Sequence, residues 1–184
     1  MKKTLLIILV VVVLLGLYAW SSYNSLVSLN ESADAQWAKV ETQYQRRFDL
    51  IPNLVNSVKG VMTQEQAIFN SIADARTKYS GAQTANEKAA AAGEMESSLG
   101  RLLVIMENYP VLNSSNNVRD LMSQIEGTEN RISVERSRFN DMIREYNLGI
   151  KRFPRSLLAA MFGFGEREYF ESKEGTESAP SVNL

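Results

Sequence analysis

From Thr4 to Trp20 the chain is almost unbroken in its apolar character, with Lys2 and Lys3 before the run and Tyr18, Trp20 and Tyr23 at its far end. At 1.5 Å per residue the run covers roughly 26 Å, close to the thickness of a bilayer's hydrocarbon core, and the terminal aromatics suit the headgroup level. Residues 1–22 therefore predict a transmembrane signal anchor, with Leu5, Leu6, Ile7, Ile8, Leu9, Val10, Val11, Val12, Val13, Leu14, Leu15, Leu17 and Trp20 meeting lipid. Lys2 and Lys3 would keep the N-terminus cytoplasmic and send the remainder outside. The competing reading is a cleaved signal peptide, because Ala19-Trp20-Ser21 has small residues at the two positions a signal peptidase reads. The length of the run, the bulky Trp20 inside the site and the helical pattern that follows directly favour the uncleaved anchor.

Beyond the run the apolar positions step by four and three: Leu26, Ala33, Trp37, Val40, Tyr44, Ile51, Leu54, Val58 and Val61, with Asn30 and Arg47 in the two polar slots. This is a heptad seam on a helix from about Tyr23 to Lys59, continuous with the anchor. Pro52 lacks an amide hydrogen and crowds the preceding turn, which predicts a kink or a break into a new helix. A second helix is expected from a Thr63 cap to about Ser80, with Phe69, Ile72 and Tyr79 inward and Gly81 as its end. A third, about Ala85 to Asn108, buries Met95, Leu99, Leu102, Leu103 and Met106 before Tyr109-Pro110 stops it. Asn113-Ser114-Ser115-Asn116-Asn117 supplies loop and capping chemistry.

The last long helix, about Val118 to Arg152, has the cleanest seam: Val118, Met122, Ile125, Ile132, Phe139, Ile143, Tyr146, Ile150 and Phe153, with Glu129 and Arg136 in polar slots. No strand-like alternation and no internal repeat interrupts this series. The fold class is all-α: an up-and-down four-helix bundle with long helices over residues 23–153, preceded by one N-terminal transmembrane helix. If the first and fourth helices run antiparallel with Asn24 level with Phe153, Arg47 comes level with Glu129. That predicts a structural ion pair fixing helix register, against the alternative that both side chains turn to the bundle edge.

Composition removes several kinds of chemistry. There is no Cys and no His, and 20 Lys+Arg stand against 21 Asp+Glu. Disulfides, thiolate nucleophiles and Cys- or His-ligated metals are thereby excluded, and the balanced charge gives none of the basic field that nucleic-acid binding needs. Glu126, Glu129 and Arg131 read as a charged helix face, since a bundle metal site wants carboxylates converging from several helices, usually with His. No catalytic residue, cofactor or metal is assigned.

Two segments stand out as interaction surfaces. Arg46, Phe48, Asp49, Pro52 and Asn53 combine charge, an aromatic and a helix breaker within a core helix, and read either as a partner surface or as a register device with a structural kink. Residues 154–170 hold Leu157, Leu158, Met161, Phe162, Phe164, Tyr169 and Phe170, too short a stretch to span. They would lie either in the membrane interface, beside the returning fourth helix, or packed on the membrane-proximal end of the bundle. Residues 171–184 are polar and acidic, the composition of a disordered tail.

The chain resembles the LemA family of bacterial membrane-anchored proteins over nearly its whole length. The resemblance rests on Tyr23-Asn24-Ser25-Leu26-Val27, on Trp37, and on Arg46-Arg47-Phe48-Asp49-Leu50-Ile51-Pro52-Asn53-Leu54-Val55 followed by Val58-Lys59-Gly60. It continues through Glu107-Asn108-Tyr109-Pro110, Glu126-Gly127-Thr128-Glu129-Asn130-Arg131-Ile132, Tyr146-Asn147, Phe153-Pro154, Phe162-Gly163-Phe164 and Tyr169-Phe170. A His-Glu pair common after the Lys-Gly element is Gln64-Glu65 here, so no general role can rest on that His. The resemblance, which extends to a magnetosome-membrane branch, implies an anchored helical bundle without established catalysis or cofactor. The expected function is a non-enzymatic scaffold or adaptor at the bacterial inner membrane, its domain on the periplasmic side, binding another envelope protein or the bilayer surface, with a homo-oligomer open. The alternative is an accessory signalling or chaperone-like factor for an envelope protein or membrane peptidase.

Overall fold

The computed structural model describes residues 2–170; the expected tail at 171–184 lies outside them. The described residues are helices and their connections, with no strand, so the class is all-α. The elements are α1 (Lys2–Lys59), α2 (Gln66–Gly81), α3 (Ala85–Met106), α4 (Pro110–Asn113), α5 (Asn116–Lys151) and α6 (Arg155–Phe162). The four long helices expected from the periods are α1, α2, α3 and α5. By compactness the described residues form two units, one of residues 2–36 with 138–170 and the other of residues 37–137.

α1 is one helix of 58 residues and contains Pro52. Of the kink or break expected at this proline, the break into a new helix does not occur. Ile51, Leu54 and Val58 are all buried around it, and each holds the turn in place by taking apolar surface out of water, about 1.5–3 kcal/mol for a large side chain. The helix ends at Lys59, and Met62 rather than Val61 enters the core, its N–H donating back to the Val58 carbonyl at 2.9 Å. Val61, placed in the seam by the heptad count, is exposed because the chain has already left the helix.

In the second unit, α1 and α5 run antiparallel. As the α1 number rises the α5 partner falls: Tyr44 meets Arg136, Arg47 meets Glu129, and Ser57 accepts from Asn117 at 3.1 Å. The buried side of α5 is read from Val118, Leu121, Ile125, Thr128 and Ile132, so Leu121 and Thr128 take slots that the seven-residue count gave to Met122 and Glu129. A straight helix of 3.6 residues per turn drifts from a strict heptad, and adjacent Leu121 and Met122 let the stripe shift by one. Trp37 is likewise only half-buried, while Gln36 is buried.

α2 and α3 pack against each other as a helical hairpin. Thr63 does not cap α2; Glu65 occupies that position without a side-chain cap bond. The cap that does form is at α3. The Glu87 N–H donates to Thr84 Oγ1 at 3.2 Å, and the Glu87 carboxylate accepts from the Thr84 N–H at 3.1 Å and the Gln83 N–H at 2.8 Å. This is a complete capping box, and those donors hold the exposed Glu87 carboxyl below its ordinary pKa. Tyr109-Pro110, expected only to stop a helix, also starts the single turn of α4, with proline at its first position.

In the first unit, α1 and α5 pack with α6. Leu26, Tyr146, Ile150 and Ala159 form one buried cluster, with Leu29 and Phe164 against it. Gly149 permits this approach: a Cβ there would stand 3.0 Å from Leu29 Cδ1. α5 stops at Lys151, so Phe153 leaves the seam where the heptad placed it and is 81% exposed. α6 closes on Gly163, whose φ of 76° is the left-handed cap that glycine adopts at least cost.

Candidate functional site

In the second unit the three polar residues of the heptad series, Arg47, Glu129 and Arg136, belong to one connected set of charges. Arg47 on α1 is 4% exposed, ion-pairs Glu129 on α5, and reaches Glu96 on α3 at 3.4 Å. Arg136 on α5 donates to the same Glu96 carboxylate at 2.6 Å and, through Nε, to the Tyr44 hydroxyl at 2.7 Å. One glutamate thus joins two guanidinium groups carried by different helices. Burial pushes the Tyr44 phenol up to about 12, with the Arg136 charge opposing the shift. Glu96 was missed by the sequence reading. Its signal was its place between Met95 and Leu99, on the edge of the α3 stripe, where an acid is one turn from the core.

The residues offered as a partner surface do not share one environment. Arg46, Asp49 and Asn53 are exposed and Pro52 is half-buried, whereas Phe48 is 5% exposed. Phe48 is therefore a core residue here. Its ring meets Tyr79 edge-on at 4.3 Å and stacks on Tyr44 at 6.2 Å, because on a 3.6-residue helix it lies one turn beyond Tyr44. Phe48 and Tyr79 form the floor of a groove of about 290 Å³, whose rim carries Asp49, Arg76 and Lys88. Lys88 is engaged with Glu41 across to α1, and burial raises the Tyr79 phenol. Among the described residues no three acidic side chains converge in a way that could hold a metal ion.

The first unit carries the apolar features. Every side chain assigned to the anchor from Leu5 to Leu17 is exposed, as is Trp20 at 68%. An eighteen-residue window of α1 is apolar enough to cross a membrane and has none of its surface buried against protein. In the 154–170 segment, Leu157, Met161, Phe162 and Tyr169 are exposed, while Leu158, Phe164 and Phe170 are half-buried. Tyr23, just past the anchor, meets the Phe162 ring at 5.0 Å and the Phe164 ring at 5.8 Å.

After α6 a non-helical strap, residues 163–170, returns along α5. The Tyr146 hydroxyl donates to the Gly165 carbonyl at 2.9 Å, and Asn147 and Asn140 each make a donor and an acceptor bond to the backbone of Arg167 and Phe170. The two asparagines are seven residues apart, roughly 10 Å of helix, which matches about three residues of extended chain. The Arg167 side chain continues across to α1, donating to Asn30 Oδ1 at 3.0 Å and to Asp34 at 2.6 Å. Asn30, a polar slot of the first heptad series, is thus a docking point for the strap.

The chain is similar to the magnetosome protein MamQ of Magnetospirillum gryphiswaldense, 29% identical over 177 residues, covering 82% of this chain and 65% of the relative. Two magnetosome proteins of Paramagnetospirillum magneticum, MamQ 1 and MamQ 2, match to the same extent. The chain therefore spans somewhat under two thirds of the length of these relatives. The LemA family model matches residues 36–184, which take in both α5 polar slots, the shared Glu96 and the strap, and the chain belongs to the LemA family.

Proposed function

We propose that this protein is a non-catalytic, single-pass scaffold or adaptor of the bacterial cytoplasmic membrane, whose helical part stands on the extracytoplasmic side and binds another envelope protein. One observation carries the reading: α1 exposes apolar side chains all round from Leu5 to Leu17, and the same unbroken helix then buries Leu26, Ala33 and Val40. A helix that is apolar on every face needs a non-aqueous surrounding, and lipid supplies it. Lys2 and Lys3 favour a cytoplasmic N-terminus. Relatives named as magnetosome proteins support membrane association by analogy.

Arg46, Asp49 and Asn53 form the exposed part of the partner surface in this reading, with the Phe48–Tyr79 groove beside them. The Arg47–Glu129–Glu96–Arg136 set acts as a register device. The test is proximity labelling in the native membrane with the labelling enzyme fused after Leu184. A few stoichiometric envelope neighbours are expected. Many weak neighbours would replace the scaffold by a chaperone-like accessory factor, and labelling confined to cytoplasmic proteins would overturn the orientation.

A further inference from the structure

We propose that α6 is a second membrane contact, lying in the headgroup region of the leaflet that α1 enters, with Phe153, Leu157 and Met161 dipping towards the acyl chains. The inference rests on the reading of α1 as a membrane span.

α6 has two faces. Ala159 is 2% exposed and packs with Leu26, Tyr146 and Ile150, so the inner face is fully used. On the outer side Leu157 and Met161, one helical turn apart, are 64% and 75% exposed, and Phe153, in the turn just before the helix, is 81% exposed. Nothing in this stripe is needed by the core. In water such a contiguous apolar patch is a liability that soluble surfaces avoid.

Position selects the occupant. Phe162, the last residue of α6, and Phe164 just beyond it both close on Tyr23. Tyr23 is only three residues past Trp20, about 4.5 Å along the helix, so the C-terminal end of α6 is held within about one turn of the aromatic end of the span. A helix fixed at that level meets the same interface as Trp20. Lys151 and Arg152 lie just before it and Arg155 opens it; Lys151 pairs with Glu166 at 2.5 Å and Arg152 is exposed, so cations flank the apolar residues. Apolar residues on one side with flanking cations is the composition of a helix that beds roughly 5–10 Å into an anionic surface. A second copy of the chain would explain the stripe but not its level beside Tyr23.

The absence of cysteine makes a direct test simple, since a single introduced thiol carries a spin label without background. The full chain is reconstituted in vesicles of phosphatidylcholine and phosphatidylglycerol, with labels at Leu157→Cys, Met161→Cys, Leu14→Cys and, as an aqueous reference, Ser123→Cys. Accessibility to oxygen and to a water-soluble nickel chelate is then compared. The expected result is an oxygen-to-nickel ratio severalfold higher at 157 and 161 than at 123, and highest at 14. If 14 is in lipid while 157 and 161 match 123, α6 lies in water and this inference falls with the anchor intact. If 14 itself is aqueous, the span is wrong and the inference falls with it. Exclusion of both reagents at 157 and 161, with dipolar broadening between labels, would assign the stripe to a second copy.

Discussion

Asn147 grips Arg167 at two points: its Nδ2 donates to the Arg167 carbonyl at 2.8 Å, and its Oδ1 accepts the Arg167 N–H at 2.9 Å. Asn147 is 2% exposed, so this pair is shielded from water and neither side can readily exchange its partner for solvent. The strap therefore depends on α5 for its backbone satisfaction. Asn147→Ala is expected to destabilise the protein by roughly 2 kcal/mol and to accelerate hydrogen exchange at the Arg167 amide. Exchange measured by NMR checks this; unchanged protection at Arg167 would show that the strap's other bonds, through Tyr146, Asn140, Asn30 and Asp34, hold it without Asn147.

Glu96→Gln should cost more stability than Glu129→Gln. Glu96 serves both Arg47 and Arg136, whereas Glu129 serves Arg47 and its side chain is 45% exposed, so water can compensate part of its loss. The expected penalties are roughly 3 kcal/mol for Glu96 and about 1 kcal/mol for Glu129, read from chemical denaturation of the full chain in detergent. Equal penalties would mean that the two carboxylates do not differ in their burden.

Tyr44 should titrate late. Its folded value of about 12 lies above the ordinary 10 of an unfolded chain, so folding favours the neutral phenol. The associated stability is complete below about pH 10 and is lost as pH rises towards the folded value. Ultraviolet difference titration of wild type against Tyr44→Phe would show the missing transition, and a Tyr44 midpoint near 10 would contradict the burial argument.

Two glycines of α5 should answer alanine differently. Gly127 has open space where a Cβ would stand, so Gly127→Ala gains helix propensity and is expected to stabilise by about 0.5–1 kcal/mol. At Gly149 the same Cβ would press on Leu29 at 3.0 Å and lie 3.6 Å from Leu26, and the gain should be cancelled or reversed. Thermal unfolding of the two variants side by side provides the comparison.

Removing Thr84 should fray α3 from its start. Thr84→Ala breaks one half of the capping box and is expected to cost about 1 kcal/mol. The Glu87 carboxyl, held low by the Gln83 and Thr84 amides, contributes above its ordinary titration range and loses that contribution as pH falls through its depressed value. Carboxyl NMR titration of Glu87 should therefore give a midpoint below that of an unstructured glutamate.

Much of this architecture is written in the spacing of apolar residues. The α5 seam from Phe139 through Ile143 and Tyr146 to Ile150 reads directly because each of these slots holds a large apolar side chain that is buried. The seam is less legible at Leu121 and Met122, where two neighbours compete and only packing decides. Arg47 and Glu129 were visible because a charge in a heptad slot is anomalous, while Glu96 was hidden at the edge of its stripe. The Thr84–Glu87 box is a local Thr-x-x-Glu pattern at the start of α3, whereas at α2 the cap expected of Thr63 does not form and Glu65 stands there without a side-chain bond. The strap could not be read at all, because asparagine-to-backbone bonds leave no period and Gly165 to Phe170 carries no helical signal.

The charges around Glu96 sum to nothing: Arg47 and Arg136 balance Glu96 and Glu129, and Tyr44 stays neutral over the range in which cells live. With no histidine in the chain, no side chain of ordinary pKa changes charge between weakly acidic and weakly alkaline conditions. The knot that ties three helices therefore holds no imidazole through which a change of acidity near neutrality could alter its charge.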